Sequence, residues 1–232
     1  MIDTSATAGR IQIKTKDLFA AIPPLLCPFF DGLEYPWEAL PRIAGYIDEL
    51  LRRGIDGYTQ LSPGVWVGRD VKIAATATIE GTAVIGHGTV LRPGAYLRGG
   101  VFAGDGCVIG NSTELKNCIL MDHVQVPHYN YVGDSILGCR AHMGAGAVCS
   151  NLKSDGRAVT VHYGDGHNID TGLRKFGAVL GDGADIGCGC VLSPGAVIGR
   201  GTSVYHLTHL RGAVPAGCIV KSAEIIVPRE PR

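Results

Sequence analysis

Residues 83–110, AVIGHGTVLRPGAYLRGGVFAGDGCVIG, carry an apolar side chain at every sixth position: Ile85, Leu91, Leu97, Ala103 and Ile109. The same spacing runs back through Ile79, Ile73 and Val67 and forward through Leu115 to Met121. It resumes at Leu180 and continues through Ile186, Leu192 and Ile198 to Val204. Glycine often follows the apolar residue (Gly68, Gly86, Gly104, Gly110), and a small or β-branched residue stands two places before it (Ala77, Ala83, Thr89, Ala95, Cys107). A period of six is neither the ~3.6 of a helix nor the ~2 of a strand. It is what a strand's alternation gives when a turn interrupts it once per hexad.

Each hexad then forms one face of a triangular prism, with the apolar residue on the axis and glycine relieving the corner. Three hexads close a coil, and stacked coils bond as parallel strands about 4.8 Å apart. The expected fold is all-β, a left-handed parallel β-helix of hexapeptide repeats over residues 66–220, with a C-terminal tail at 221–232. A β-sandwich would show turn signals about every 8 to 12 residues instead. Trp66 stands where the first coil opens and is expected to cap it.

Residues 1–65 read as a helical segment. Pro36 followed by Trp37, Leu40, Ile43, Ile47, Leu50 and Leu51, closing on Arg52, Arg53 and Gly54, fits a helix with Pro at its start and Gly past its basic last turn. The prolines of DLFAAIPPLLCPFFDG predict short helical turns before it. At 157–171 the repeat breaks, and AVTVHY, GDG and HNID predict a projecting hairpin turning on Gly164-Asp165-Gly166.

Lys plus Arg and Asp plus Glu both number 21, so no basic field points to nucleic acid or an anionic membrane, and a small molecule is the expected partner. Without a signal-like or membrane-spanning apolar run, the chain reads as cytoplasmic. The eight cysteines include no CxxC pair, so most are read as small buried residues.

Five clusters are not repeat filler: LRPG (91–94), NSTELKN (111–117), PHYNYVGDS (127–135), MGAGAVCSN (143–151) and RKFGAVLGD (174–182). Their order and spacing resemble the acetyltransferase half of the bifunctional glucosamine-1-phosphate acetyltransferase / N-acetylglucosamine-1-phosphate uridylyltransferase family. The resemblance implies an acetyl-CoA-dependent homotrimer acting on an amino-sugar phosphate, in UDP-N-acetylglucosamine synthesis. It places the sugar phosphate on Arg92, Lys116, Tyr131 and Lys175, and makes His128 the general base, a task that suits an imidazole titrating near ~6.5. Glu114 matches as well, and either fixes the His128 tautomer or braces Lys116. Asn151 matches the residue beside the acetyl group, where an amide N–H would polarise the carbonyl. Ala145 fits the small-residue site of the pantetheine arm.

Two positions depart from the family: His142 replaces a sugar-contacting Asn, and Cys188 a Ser near acetyl-CoA. Residues 1–65 are too short for a uridylyltransferase domain, so no nucleotidyl transfer is expected of this chain. Two other readings compete. One is a non-catalytic trimer that binds a sugar phosphate or sugar nucleotide. The other is a zinc site like that of the γ-class carbonic anhydrases, on His87, His123 and His128. The hexad count puts His87 and His123 two coils apart, about 9.6 Å, too far for shared zinc bonds of about 2.0 to 2.1 Å. No metal is therefore expected. His162, His167, His206 and His209 receive no role.

Overall fold

The computed structural model describes residues 11–164, 166–222 and 225–228. Positions 1–10, Asp165 of the hairpin turn, and 223–224 and 229–232 of the tail lie outside the described residues.

The hexads fold into a parallel β-solenoid of three faces. The first face stacks Val65–Val67, Ala83–Ile85 and Val101–Ala103 in register. On the second, Lys72–Ile73, Val90–Leu91, Val108–Asn111, Gln125–His128 and His142–Met143 are stacked. The third holds Thr78–Ile79, Tyr96–Leu97 and the start of the strand Glu114–Leu120. Inward side chains from Ile85 and Leu91 to Leu210 and Val220 form one continuous apolar core.

The repeat slips at two places that the hexad count misses. Phe102 lies under Ile119 and Ile119 under Ile136, steps of 17 residues where Val84 to Phe102 takes 18. Leu120, not Met121, therefore points to the axis, and Met121 packs on the outside of the prism. The cause lies in Asn117 and Asp134, each in the left-handed backbone region (φ 46° and 47°). Asn and Asp tolerate that conformation better than most residues. Each turns the corner alone, so Glu114–Leu120 and Tyr131–Leu137 run unbroken from the third face onto the first.

The first face is covered in cis. Its outward residues Val84, Phe102, Ile119, Ile136, Val179 and Val197 form a second core with Trp37, Leu40, Ile43, Ile47 and Leu50 of the N-terminal segment. That segment contains the short helices Thr15–Leu18 and Cys27–Phe30, then a 3-10 stretch Pro36–Arg42 leading into the helix Ile43–Arg53. Pro41 lacks the N–H that an α-helix would need at that point, which accounts for the tighter start. Full burial of a side chain such as Phe29 or Phe102 is worth about 1.5 to 3 kcal/mol, so this layer is an integral part of the fold.

Trp66 does not cap the core. Strand alternation turns Val65 and Val67 inward and Trp66 outward, into the second core and against Gly54. The first rung is instead flanked by Thr59–Ser62, which pairs antiparallel with Val65–Val67. At the far end Ile225–Pro228 pairs antiparallel with Cys218–Ser222. Between coils, Ile136 to Val179 is a step of 43 residues, and the surplus chain forms the hairpin Thr160–His162 with Asn168–Asp170. Among the described residues no helix is long and apolar enough to cross a membrane.

Candidate functional site

The two shortened corners create a polar cluster. Because Asp134 turns the corner alone, its side chain is drawn against the prism and is 5% exposed. Its carboxylate accepts from Lys116 Nζ at 3.2 Å, from Asn117 Nδ2 at 2.9 Å and from Asn151 Nδ2 at 2.5 Å. Asn151 Nδ2 also donates to the Tyr131 hydroxyl oxygen at 3.2 Å. Gly133 makes room for this arrangement: a Cβ there would lie 2.5 Å from the Tyr131 oxygen and 2.8 Å from Asn151 Nδ2. Burial, with the Glu114 and Asp134 carboxylates near it, raises the Tyr131 phenol above its ordinary value. Tyr131 therefore stays neutral, and because its oxygen already accepts from Asn151, its O–H can donate outward.

Lys175 reaches the same corner by the return of the inserted chain. Leu152 and Lys175 form an antiparallel bridge, and Phe176 N donates to Asn151 O at 3.0 Å. Phe176 is fully buried beside Trp37, which anchors the base of the insertion. Lys116, Tyr131, Asn151 and Lys175 are thus gathered at one corner, between the third and first faces.

The other candidates lie elsewhere. His128 ends the strand Gln125–His128 at the corner between the second and third faces, with its ring exposed beside Tyr129. Arg92 is exposed at the same corner, lower in the stack. Ala145 and Cys188 occupy that corner higher up. His142 faces out from the second face, with Nδ1 2.8 Å from Asp185 Oδ1 on the next coil. A cleft of about 750 Å³ opens over His142, Gly144, Asp185, Cys188, His206 and Lys221.

Two expected roles change. Glu114 neither touches His128 nor braces Lys116; it is ion-paired at 2.6 Å with Arg98, one coil below. That long side chain reaches it across the stack from just beyond Tyr96–Leu97, which pairs with Glu114 and Leu115. Asn151 has no free N–H to polarise a carbonyl, because both hydrogens go to Asp134 and Tyr131. Asp134 and Asp185 escaped the sequence reading. The signal for Asp134 was present: apolar residues five apart, Val132 and Leu137, flank a Gly-Asp pair. Asp185 shows itself only once the 43-residue step sets it over His142.

Burial pushes the Cys107 and Cys149 thiols up to about 12, and these two are inert core residues. Cys27 and Cys188 are the exposed cysteines among the described residues. Among those residues no three His, Cys, Asp or Glu side chains are placed to hold a metal ion. His87 Nδ1 instead accepts from Arg69 N at 2.7 Å.

The family model described as "GMPPB C-terminal domain" matches residues 79–166. In Methanococcus vannielii, the protein named bifunctional protein GlmU is 38% identical over 96 residues, 41% of this chain and 23% of its own length. A bifunctional sugar-1-phosphate nucleotidylyltransferase/acetyltransferase of Sulfurisphaera tokodaii is 36% identical over 97 residues, 42% of this chain and 24% of its own. The chain thus spans about a quarter of the length of these curated relatives. Among solved structures, a point mutant of the N-acyltransferase AntD from Bacillus cereus superposes with a TM-score of 0.45 at 16% identity, covering 77% of this chain and 93% of that one. The acetyltransferase domain of PglB from Neisseria gonorrhoeae gives 0.38 at 15% identity, over 75% and 60%. By sequence, the chain is homologous over part of its length to the bifunctional GlmU proteins.

Proposed function

We propose that the chain is the subunit of a trimeric acetyl-CoA-dependent N-acetyltransferase whose acceptor is an amino-sugar phosphate such as glucosamine 1-phosphate. The observation that carries this reading is the convergence of Lys116, Tyr131 and Asn151 on buried Asp134, with Lys175 delivered to the same corner. In this reading Asp134 presets the corner: it fixes Lys116, and through Asn151 it aims the Tyr131 O–H. A phosphate there receives the Tyr131 hydrogen and the Lys175 charge, while Lys116 supplies charge already partly offset by Asp134.

Acetyl-CoA suits the second-face cleft. Gly144 and Gly187 line it and Ala145 adjoins it, so its floor is low. A Cβ on Gly144 would meet Cys188 N at 2.7 Å. The acceptor nitrogen attacks the thioester carbonyl, the C–N bond forms, the C–S bond breaks, and the thiol departs with a proton. His128 takes the nitrogen's proton; its ring has no hydrogen-bond partner among the described residues and is open to the acceptor.

The two halves of this site flank one edge of the prism, so a neighbouring subunit is needed to close it. With the first face covered in cis, the second and third remain for neighbours. The edge between them carries Tyr129 and Leu207, 62% and 84% exposed. Three such edges of about 60° meeting at a three-fold axis leave three equal wedges between subunits, each bounded by a second face and a third face.

Thiol release from acetyl-CoA with glucosamine 1-phosphate tests the reading, with UDP-glucosamine and other amino sugars as comparisons. Acceptor-dependent release that falls at least about 100-fold in His128→Ala is expected, from a particle of three chains in sedimentation. A folded trimer that binds the sugar phosphate yet releases no thiol with any acceptor would replace this reading with a non-catalytic binding role.

A further inference from the structure

The second-face cleft holds a pair of side chains that the mechanism above leaves without a task. His142 and Asp185 are register partners on adjacent coils, with imidazole Nδ1 2.8 Å from carboxylate Oδ1. No other histidine among the described residues is ion-paired with a carboxylate. The contact fixes the tautomer: neutral His142 carries its proton on Nδ1 and donates it to Asp185, which leaves the Nε2 lone pair open. Among the described residues, the remaining titratable groups lining the cleft are Cys188, Tyr205, His206 and Lys221, and Asp185 is the one carboxylate. His206 Nδ1 is already occupied by the Cys188 N–H at 3.1 Å. His128 ends the strand directly below His142, since Gln125 pairs with His142, so both imidazoles belong to adjacent coils of one face.

Acylation of an amine at neutral pH poses a proton problem that one base does not solve. Most aliphatic amines arrive as ammonium ions; α-amino groups titrate at about 7.7 to 8.0 and lysine near ~10.4. The ammonium nitrogen must lose one proton before its lone pair can attack. It must lose a second after the C–N bond has formed. One of these protons ends on the departing thiolate and the other in solvent.

We propose that His142, positioned by Asp185, is a second proton acceptor, which strips the incoming ammonium and passes that proton to solvent. His128 then takes the second proton and delivers it to the leaving sulfur. This assignment rests on the acetyl-transfer reading above. It also gives a reason for histidine where the resembled family has asparagine: an amide can hydrogen-bond a sugar but cannot take up a proton.

The test is kcat/KM against pH for thiol release with glucosamine 1-phosphate, in the full chain and in His142→Asn and Asp185→Asn. In both variants the acid limb is expected to move to higher pH, toward the amine's own pKa. His142→Asn should lose about tenfold or more at about pH 6.5 and stay within about twofold of the parent at about pH 9, where the amine is free. Asp185→Asn should shift the limb in the same direction, because an amide can donate to Nδ1 and hold the tautomer whose Nε2 already carries the proton. Equal loss at every pH, or no change in the limb, would reduce His142 to a contact residue and overturn the proposal while leaving acetyl transfer standing. No thiol release by the wild type even at about pH 9 would overturn both. Both residues are partly exposed, and unchanged thermal midpoints serve as the folding control.

Discussion

Gly110→Ala is expected to destabilise the protein by more than about 4 kcal/mol and to lower the thermal midpoint by about 10 °C or more. The added Cβ would sit 1.5 Å from the Pro127 carbonyl oxygen and 1.9 Å from its carbon. Backbone atoms cannot rotate away, so the strand Gln125–His128 must separate from Val108–Asn111. His128 rides on that strand, and the proposed acetyl transfer should fail together with stability. Gly45→Ala, in the helix Ile43–Arg53, is the matched control, with nothing within 4 Å of the added Cβ. It should be neutral or stabilising by up to about 1 kcal/mol, because alanine restricts the unfolded chain. Differential scanning of the two variants decides the matter. A Gly110→Ala protein that melts with the wild type would mean that these coils do not stack as described.

Asp134→Ala should be the most damaging single change in the polar corner, at about 2 to 4 kcal/mol. It strands the Lys116 ammonium and leaves amide hydrogens of Asn117 and Asn151 without their acceptor. Lys116 is 25% exposed and keeps some water, which holds the cost below that of a fully buried charge. Turnover should drop by at least about 100-fold, because Asn151 no longer holds Tyr131. Combining it with Lys116→Met separates the two effects. The double variant should recover part of the stability in urea titration while activity stays lost. Asp134→Ala with unaltered kinetics would remove the corner from the mechanism.

The hexads made the fold legible because the axial position of each hexad is filled by an apolar side chain. Leu97, Ile109 and Leu115 therefore mark the core without any knowledge of the turns. The local register was less legible. Counting in sixes assigns Met121 to the axis, whereas Asn117, by turning a corner alone, gives that place to Leu120. Similarly, Trp66 faces the N-terminal layer because the residues on either side of it already fill the core. At the site, Lys116, Tyr131, Asn151 and Lys175 stand in local motifs; hydrogen bonds through Asp134 and Asn151 link the first three, and the backbone of Lys175 bridges to Leu152 beside them. Their partners were not readable, because Arg98 reaches Glu114 and Asp185 reaches His142 across the stack, through coil lengths that a linear pattern does not state.

The reversed strands at the two ends of the solenoid bear on its behaviour in a crowded solution. A stack of parallel rungs is an open template, since its last rung offers unpaired backbone groups to any extended chain of the same polarity. Here Thr59–Ser62 runs against the first rung of the first face, and Ile225–Pro228 against the last rung of the second. A second molecule approaching end to end would meet strands of the wrong direction on those faces. The fold thereby blunts, on those two faces, its own capacity to grow into a fibre.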